Sequence, residues 1–112
     1  MADINTKLQQ ALAFQQNGNL EQAQKIYIDI LQRDSYCSDA WNLYGLLALS
    51  VGDINNGTIF LENATKIRAD IASYHINLSE AYKRGDRLED ALNAINNALK
   101  LESNNTDALY NK

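Results

Sequence analysis

The sequence repeats itself at a fixed interval, and this repeat constrains the fold more than any other feature. Small, aromatic and branched apolar residues recur at the same spacing in four independent sets of positions. The sets are Ala11, Gly45 and Ser79; Phe14, Ala48 and Tyr82; Ala23, Gly57 and Ala91; and Tyr27, Leu61 and Ile95. A period of about 34 residues indicates stacked supersecondary units, each too small to bury its apolar face alone.

Each unit contains two stretches with helical periodicity, separated by a short turn. The turns carry Gly18, Gly52 and Gly85, which follow one another at nearly the same spacing, and glycine suits a tight turn. Three units are predicted, at 4–37, 38–71 and 72–105. The predicted helices are 4–16, 20–33, 39–51, 54–67, 72–84 and 88–101. The polar run 103–105 is predicted to break the last helix, and 106–112 to begin a fourth unit as a short helical stub.

Composition and charge argue against several classes of protein. With 112 residues the chain has room for one domain, and the lack of proline and scarcity of glycine favour helices over a turn-rich β fold. The net charge of −4 argues against binding to a nucleic-acid backbone, which requires a clustered basic face. The first residues lack the pattern of a secretory signal, and no apolar run approaches the length that spans a bilayer. These features predict a cytoplasmic protein that binds neither nucleic acid nor membrane.

No constellation of residues predicts catalysis, a cofactor or a bound metal ion. His75 is the only histidine, and it occupies the position that Trp41 holds one unit earlier, so it is predicted to pack between helices. Cys37 is the only cysteine, which rules out an internal disulfide and a cysteine-based zinc site. The acidic residues are scattered over the second helices of the units, as expected for a solvated surface. The sequence therefore predicts a protein that is not an enzyme and needs no cofactor.

The residue types at the repeated positions resemble those of the tetratricopeptide repeat. That family places Trp, Leu-Gly and Tyr in the first helix of a unit, and Ala, an aromatic residue, Ala and Pro in the second. The middle unit follows this order with Trp41, Tyr44, Gly45, Ala48, Gly57, Leu61 and Ala64. The closing proline is missing, since Ser35, Ala69 and Ser103 replace it, and the first unit is unusually polar. The resemblance implies an all-α fold, an α–α superhelix of about six antiparallel helices plus the C-terminal stub.

The predicted helix 39–51 carries more apolar residues than one buried stripe requires. Gly45 is assigned to the small position where the two helices of a unit approach most closely. Trp41, Tyr44 and Ala48 are assigned to the core. In tetratricopeptide repeats the first helices line a concave face that binds peptides, so the resemblance implies a binding site at the inward positions. The predicted site consists of Leu12, Asn42, Leu43, Leu46, Leu49, Ile76, Asn77, Glu80 and Arg84.

The resemblance implies a protein–protein interaction scaffold that binds an extended or helical peptide through apolar anchors. Asn42 and Asn77 resemble, imperfectly, the inward asparagines of O-GlcNAc-transferase-like superhelices, whose amides hold peptide backbones. A chaperone C-terminal tail is not an expected partner, because the positions that clamp its carboxylate carry neither Lys nor Arg. Those positions hold Asn5, Gln9, Asp39, Leu43, Ser73 and Asn77.

Two alternatives stay open from the sequence. In the first, the protein is a homo-oligomerisation module in which the open end of the third unit stacks on another copy; a missing repeat or self-association would likewise cover the leucines of 39–51. In the second, the chain is the N-terminal part of a longer protein, because 106–112 stops inside a unit. Similar bacterial chains continue into transferase domains, which would make this one a substrate-presenting arm. The downstream sequence separates that alternative from the others.

Overall fold

The computed structural model describes the backbone of residues 3–110 and the side chains of residues 3–103. Over these residues it contains six α-helices and no β-strand, which confirms the predicted all-α fold. The helices are α1 (Ile4–Gln16), α2 (Leu20–Arg33), α3 (Ser38–Ser50), α4 (Ile54–Ile67), α5 (Ala72–Arg84) and α6 (Leu88–Tyr110). They pack as the hairpins α1–α2, α3–α4 and α5–α6, and each hairpin stacks on the next through the contacts α2–α3 and α4–α5.

Each hairpin turn contains one residue with a positive φ angle, and these residues occupy the same position of the repeat. Gly18 and Gly52 have positive φ angles of 85° and 84°, where glycine avoids the strain that a Cβ would cause. The equivalent residue of the third hairpin is Asp86, with a φ of 61°. Gly85 instead caps α5 with a φ of −84°. Pairing Gly85 with the other two turn glycines is therefore wrong by one position, and the turns keep the period of the rest of the sequence.

The last helix is longer than predicted. α6 continues from Leu88 to Tyr110, straight through the run 103–105 that was expected to break it. Serine and asparagine each cost only a few tenths of a kcal/mol in a helix relative to alanine, roughly, and this run contains neither glycine nor proline. The expected stub is helical at 106–110 but prolongs α6 and is not a separate helix. Residues 111 and 112 of the expected fourth unit lie outside the described residues.

Among the residues with described side chains, much of the core lies in two clusters of buried side chains. The first cluster joins the first and second hairpins and contains Leu8, Ala11, Ala23, Tyr27, Ile30, Ala40 and Leu47. The second cluster joins the second and third hairpins and contains Leu49, Leu61, Leu78 and Ala81. Beside the first cluster the ring of Tyr44 stacks between Tyr27 and Phe60, at centroid distances of 6.0 Å and 4.3 Å. Of the predicted core residues, Ala48 is buried, whereas Trp41 and Tyr44 are half-buried in this aromatic layer.

The two helices of the middle hairpin meet at a pair of facing glycines. A Cβ added to Gly45 would lie 2.6 Å from Cγ of Leu61, and one added to Gly57 would lie 2.8 Å from Cδ2 of Leu49. Each added Cβ would also lie 3.2 Å from the carbonyl oxygen of the other glycine. The prediction that Gly45 permits close packing is confirmed. Its helix-propensity cost of about 1 kcal/mol is offset by contacts that a larger side chain would obstruct.

Trp41 and His75 make the same contact in consecutive hairpins. Nε1 of Trp41 donates to the carbonyl oxygen of Ser35 at 2.8 Å, and Nε2 of His75 lies 2.8 Å from the carbonyl oxygen of Ala69. In both cases the two partners are 6 residues apart. Because a carbonyl oxygen only accepts, Nε2 of His75 carries the proton. His75 is 6% exposed, which confirms the prediction that it packs between helices.

Candidate functional site

The first helices of the three hairpins lie side by side. α3 contacts both α1 and α5, so the three helices form one wall of the molecule. The outer side of α1, α3 and α5 is termed the first-helix face below. All the predicted binding residues lie on these three helices, but the structure gives them very different exposures.

The leucine patch predicted on the first-helix face is smaller than expected. Leu49 is only 5% exposed and belongs to the second core cluster, so the prediction that it points into the groove is wrong. Its side chain occupies the space that Gly57 leaves open. Leu43 is half-buried and packs against the first core cluster. In the described part of the chain, Leu12 and Leu46 are half-buried but belong to neither cluster.

Ile76 adds an exposed apolar side chain to this face. It is 43% exposed and stands one repeat after Asn42, which is 9% exposed. The apolar part of the predicted site therefore reduces to Leu12, Leu46 and Ile76, one from each first helix. Three apolar side chains on three different helices suit a ligand with separate anchor residues better than a ligand with one continuous apolar surface.

The two predicted asparagines contact each other across the seam between α3 and α5. Nδ2 of Asn77 donates to Oδ1 of Asn42 at 3.0 Å. Asn42 is nearly buried, so its amide serves the contact between hairpins. Asn77 is half-buried, and this bond uses only one of its two N–H donors and leaves its carbonyl oxygen as an acceptor. Of the two amides, Asn77 is therefore the better placed to meet a ligand.

A second polar contact crosses the same seam and was missed from the sequence. The hydroxyl of Tyr74 donates to the carboxylate of Asp39 and lies 3.2 Å from Oγ of Ser38. Burial, together with the Asp39 carboxylate, raises the pKa of Tyr74 to about 12. The signal was present in the spacing: Asp39 and Tyr74 are 35 residues apart, as are Asn42 and Asn77. Residues that bond between neighbouring first helices are thus 35 positions apart, one more than the length of the repeat.

The charged end of the predicted site is an ion pair. Nε of Arg84 donates to Oε1 of Glu80 at 3.1 Å, with the two side chains 47% and 49% exposed. Nη1 of Arg84 also lies 3.3 Å from the carbonyl oxygen of Leu49, in the last turn of α3. An exposed pair of this kind contributes little to stability, so both side chains can turn toward a ligand at small cost.

The chemical groups on the first-helix face suit noncovalent contact. Burial raises the pKa of the Cys37 thiol, which lowers the thiolate fraction that a nucleophile needs. Among the residues with described side chains, no group of three His, Cys, Asp or Glu is placed to hold a metal ion. Over that part of the molecule, no helix combines the length and apolar character needed to cross a membrane.

Several solved structures share this fold over most of the chain. MamA superposes with a TM-score of 0.86 at 15% sequence identity, over 94% of this chain and 61% of MamA. The O-GlcNAc transferase of Thermobaculum terrenum superposes with a TM-score of 0.83 at 25% identity, over 90% of this chain and 20% of the transferase. The second tetratricopeptide domain of Spaghetti (RPAP3), bound to an HSP90 peptide, gives 0.82 at 13% identity, over 88% of this chain and 91% of that domain. The chain therefore spans less than two thirds of MamA and of the transferase.

The sequence itself carries the family pattern. No curated protein matches it significantly over its length. The tetratricopeptide-repeat profile, however, matches residues 8–54 and, separately, residues 72–105. The first match covers most of the first hairpin and all of α3, and the second covers α5 and most of α6. Together the matched segments contain the repeated small, aromatic and alanine positions from Ala11 to Ala98 that lie outside α4. The chain belongs to the tetratricopeptide-repeat family.

Proposed function

We propose that this protein is a non-catalytic interaction scaffold that binds a peptide segment on the first-helix face. The observation that carries the proposal is Leu46, an apolar side chain at the middle of this face that neither core cluster takes up. Leu12 and Ile76 stand on the helices to either side of it. Family membership supports the same conclusion, since stacked helical repeats present extended surfaces for binding.

The groups on the face define the kind of peptide that fits. Leu12, Leu46 and Ile76 favour two or three apolar anchor residues. Asn77 offers an amide donor and acceptor that match a peptide bond, which makes binding tolerant of sequence between the anchors. Glu80 and Arg84 add a charged edge that can select the flanking residues. An extended or helical segment with spaced apolar side chains is the ligand we propose.

A free C-terminal carboxylate is not part of the proposed ligand. The Spaghetti domain shows that this fold can hold an HSP90 peptide. Here, however, the equivalent clamp positions lack cations, and the carboxylate of Asp39 accepts the Tyr74 hydroxyl bond at one of them. A second anion at that place would meet Asp39 without a compensating positive charge.

The test begins with peptides selected from a displayed random library against the purified chain. We expect the selected peptides to share spaced apolar residues and to lose at least about tenfold in affinity on Leu46→Glu, which is worth about 1.4 kcal/mol. Isothermal titration calorimetry gives the affinities, and circular dichroism shows whether helix content is kept. Ile59→Glu is the matched control and should leave peptide binding unchanged, because Ile59 is 50% exposed and lies on α4, which is not one of the first helices. Binding that survives Leu46→Glu would place the site elsewhere.

A second candidate function is that of an arm of a larger transferase. The 25% identity to the Thermobaculum terrenum enzyme over 90% of this chain favours it. In that case the first-helix face would present a protein substrate to a catalytic domain. The natural sequence beyond Lys112 tests this directly. A transferase domain there would support this second function, and a stop codon there would contradict it.

A further inference from the structure

The open side of α6 carries a row of large apolar side chains that the other described side chains leave uncovered. Leu88, Leu92 and Leu99 are 63%, 61% and 56% exposed, and Ile95 between them is half-buried. Ile76 of α5 lies next to this row in a shallow groove between the two helices. The four α6 residues are termed the α6 row below.

The equivalent positions of the middle hairpin are covered. One repeat before the α6 row stand Ile54, Thr58, Leu61 and Thr65. α5 packs over that side of α4, so Thr58 is 7% exposed and Leu61 is fully buried. Two threonines of the covered row are thus replaced by Leu92 and Leu99 in the uncovered one. The α6 row is more apolar than the surface that stacks inside the molecule, which indicates that another surface covers it.

The opposite end of the stack does not fit the α6 row. α3 packs onto the first hairpin through Ala40, Leu43 and Leu47. One repeat earlier, on the free side of α1, these positions hold Thr6, Gln9 and Ala13, and all three are exposed. Stacking a second copy end to end would therefore press polar side chains against leucines. A second α6 row, by contrast, offers exposed leucines to the first.

The spacing of the row is symmetric, which points to a specific arrangement. Its residues follow one another at steps of four, three and four, the pattern of a short coiled-coil seam. Read in either direction the steps are the same, so an antiparallel second helix places an apolar residue opposite each one. Leu88 would face Leu99 of the second copy, and Leu92 would face Ile95 of the second copy.

The charges beside the row agree with the same arrangement. Glu89 and Lys100 are both exposed on one flank of the row, near its two ends. In the antiparallel register, Glu89 comes next to Lys100 of the second copy, and the two-fold axis makes this contact twice. In a parallel pair this flank of one helix faces the opposite flank of the other, so Glu89 and Lys100 would not meet.

We propose that two copies of this chain associate through a two-fold, antiparallel contact between their α6 rows. Such a contact is isologous, since the same patch serves both copies, and therefore closes at the dimer. Its area is on the order of 1,000 Å² or less in total, the range of weak and reversible interfaces. Ile76 and Glu80 of the first-helix face border this contact, whereas Leu12 and Leu46 lie on α1 and α3. The proposal stands independently of what the first-helix face binds.

Sedimentation velocity across a wide concentration range tests the association. The wild-type chain should pass from monomer to dimer, and Leu92→Glu should raise the dimer dissociation constant at least tenfold. Ile59→Glu on α4 is the matched control, because Ile59 is 50% exposed but lies outside the α6 row. It should leave the dissociation constant unchanged. A wild-type monomer at every concentration overturns the proposal and leaves the row to a further segment of a longer chain or to another protein.

Charge exchange tests the register. Glu89→Lys alone and Lys100→Glu alone should each weaken the dimer several-fold, because each places like charges together. The double exchange should restore the wild-type dissociation constant. A double variant as weak as the singles would contradict the antiparallel register.

Disulfide trapping provides a second, independent test in a Cys37→Ser background. Leu88→Cys and Leu99→Cys chains should each form little crosslinked dimer alone and form it readily when mixed. Crosslinking within each single variant, without gain on mixing, would indicate parallel pairing and overturn the proposal. Circular dichroism on every variant separates a lost contact from a lost fold.

Discussion

The middle and third hairpins have the same architecture but differ in what covers them. The middle hairpin lies between two neighbours, and its α4 residue Leu61 is fully buried. Within the described residues, the third hairpin has a neighbour on one side only, and its α6 residues Leu88 and Leu92 are more than half exposed. Residue type does not explain the difference, since Leu92 is more apolar than Thr58 at the equivalent covered position. Burial in a repeat protein is decided by the neighbouring unit as much as by the residue itself.

The same comparison changes where interaction surfaces are to be sought. The leucines of α3 looked surplus in the sequence, yet Leu49 belongs to the core and Leu43 packs against it. The exposed leucines are instead on α6, at the end of the stack. Substitutions at three pairs of equivalent positions test how closely the two hairpins correspond: Gly45 with Ser79, Trp41 with His75, and Gly52 with Asp86.

The largest effect is expected at the glycine contact of the middle hairpin. Gly45→Leu should lower the free energy of unfolding by at least about 3 kcal/mol or prevent folding, because overpacking displaces both Leu61 and the facing helix. A single Cβ at this place would already lie 2.6 Å from Cγ of Leu61. Urea denaturation followed by circular dichroism measures the change.

The third hairpin supplies the control for this substitution. Ser79 occupies the position of Gly45 one repeat later, and its hydroxyl bonds only the carbonyl oxygen of Ile76 in its own helix, at 2.6 Å. Ser79→Ala should change stability by less than about 0.5 kcal/mol, since it trades this local bond for better helix propensity. An unfolding midpoint that Gly45→Leu leaves unchanged would contradict the close approach of α3 and α4.

A smaller effect is expected where His75 repeats the contact of Trp41. His75→Phe should cost about 1 kcal/mol, because it removes the donor to the Ala69 carbonyl oxygen without removing the ring. His75→Gln keeps a nitrogen donor at similar reach and should recover part of the loss. Thermal unfolding of the two variants measures the difference. Equal losses in both would show that ring packing, and not the hydrogen bond, is what the position requires.

The features predicted from the sequence are those that a single repeat unit determines. Gly45 and His75 were placed correctly because the same position in another unit held a residue of known role. Features that depend on contact between units were missed. Leu49 joins the core cluster between the second and third hairpins, and the hydroxyl of Tyr74 bonds Asp39 of the preceding hairpin, 35 residues earlier. The predicted end of the last helix at 103–105 was wrong for another reason, because weak helix formers without glycine or proline do not stop a helix by themselves.

The smallest effect concerns the turns at Gly52 and Asp86, which have φ angles of 84° and 61°. An aspartate in this left-handed region carries backbone strain that glycine avoids, although aspartate tolerates it better than most residues. Asp86→Gly should therefore stabilise the protein by about 0.5 kcal/mol, net of the greater freedom that glycine has in the unfolded chain. Gly52→Asp should destabilise it by a similar amount, since a Cβ at Gly52 meets no atom within 4 Å and only the backbone responds. Thermal unfolding of both variants and of the double exchange would show whether the two changes cancel. Changes of the same sign would mean that the middle and third turns differ in more than the residue they carry.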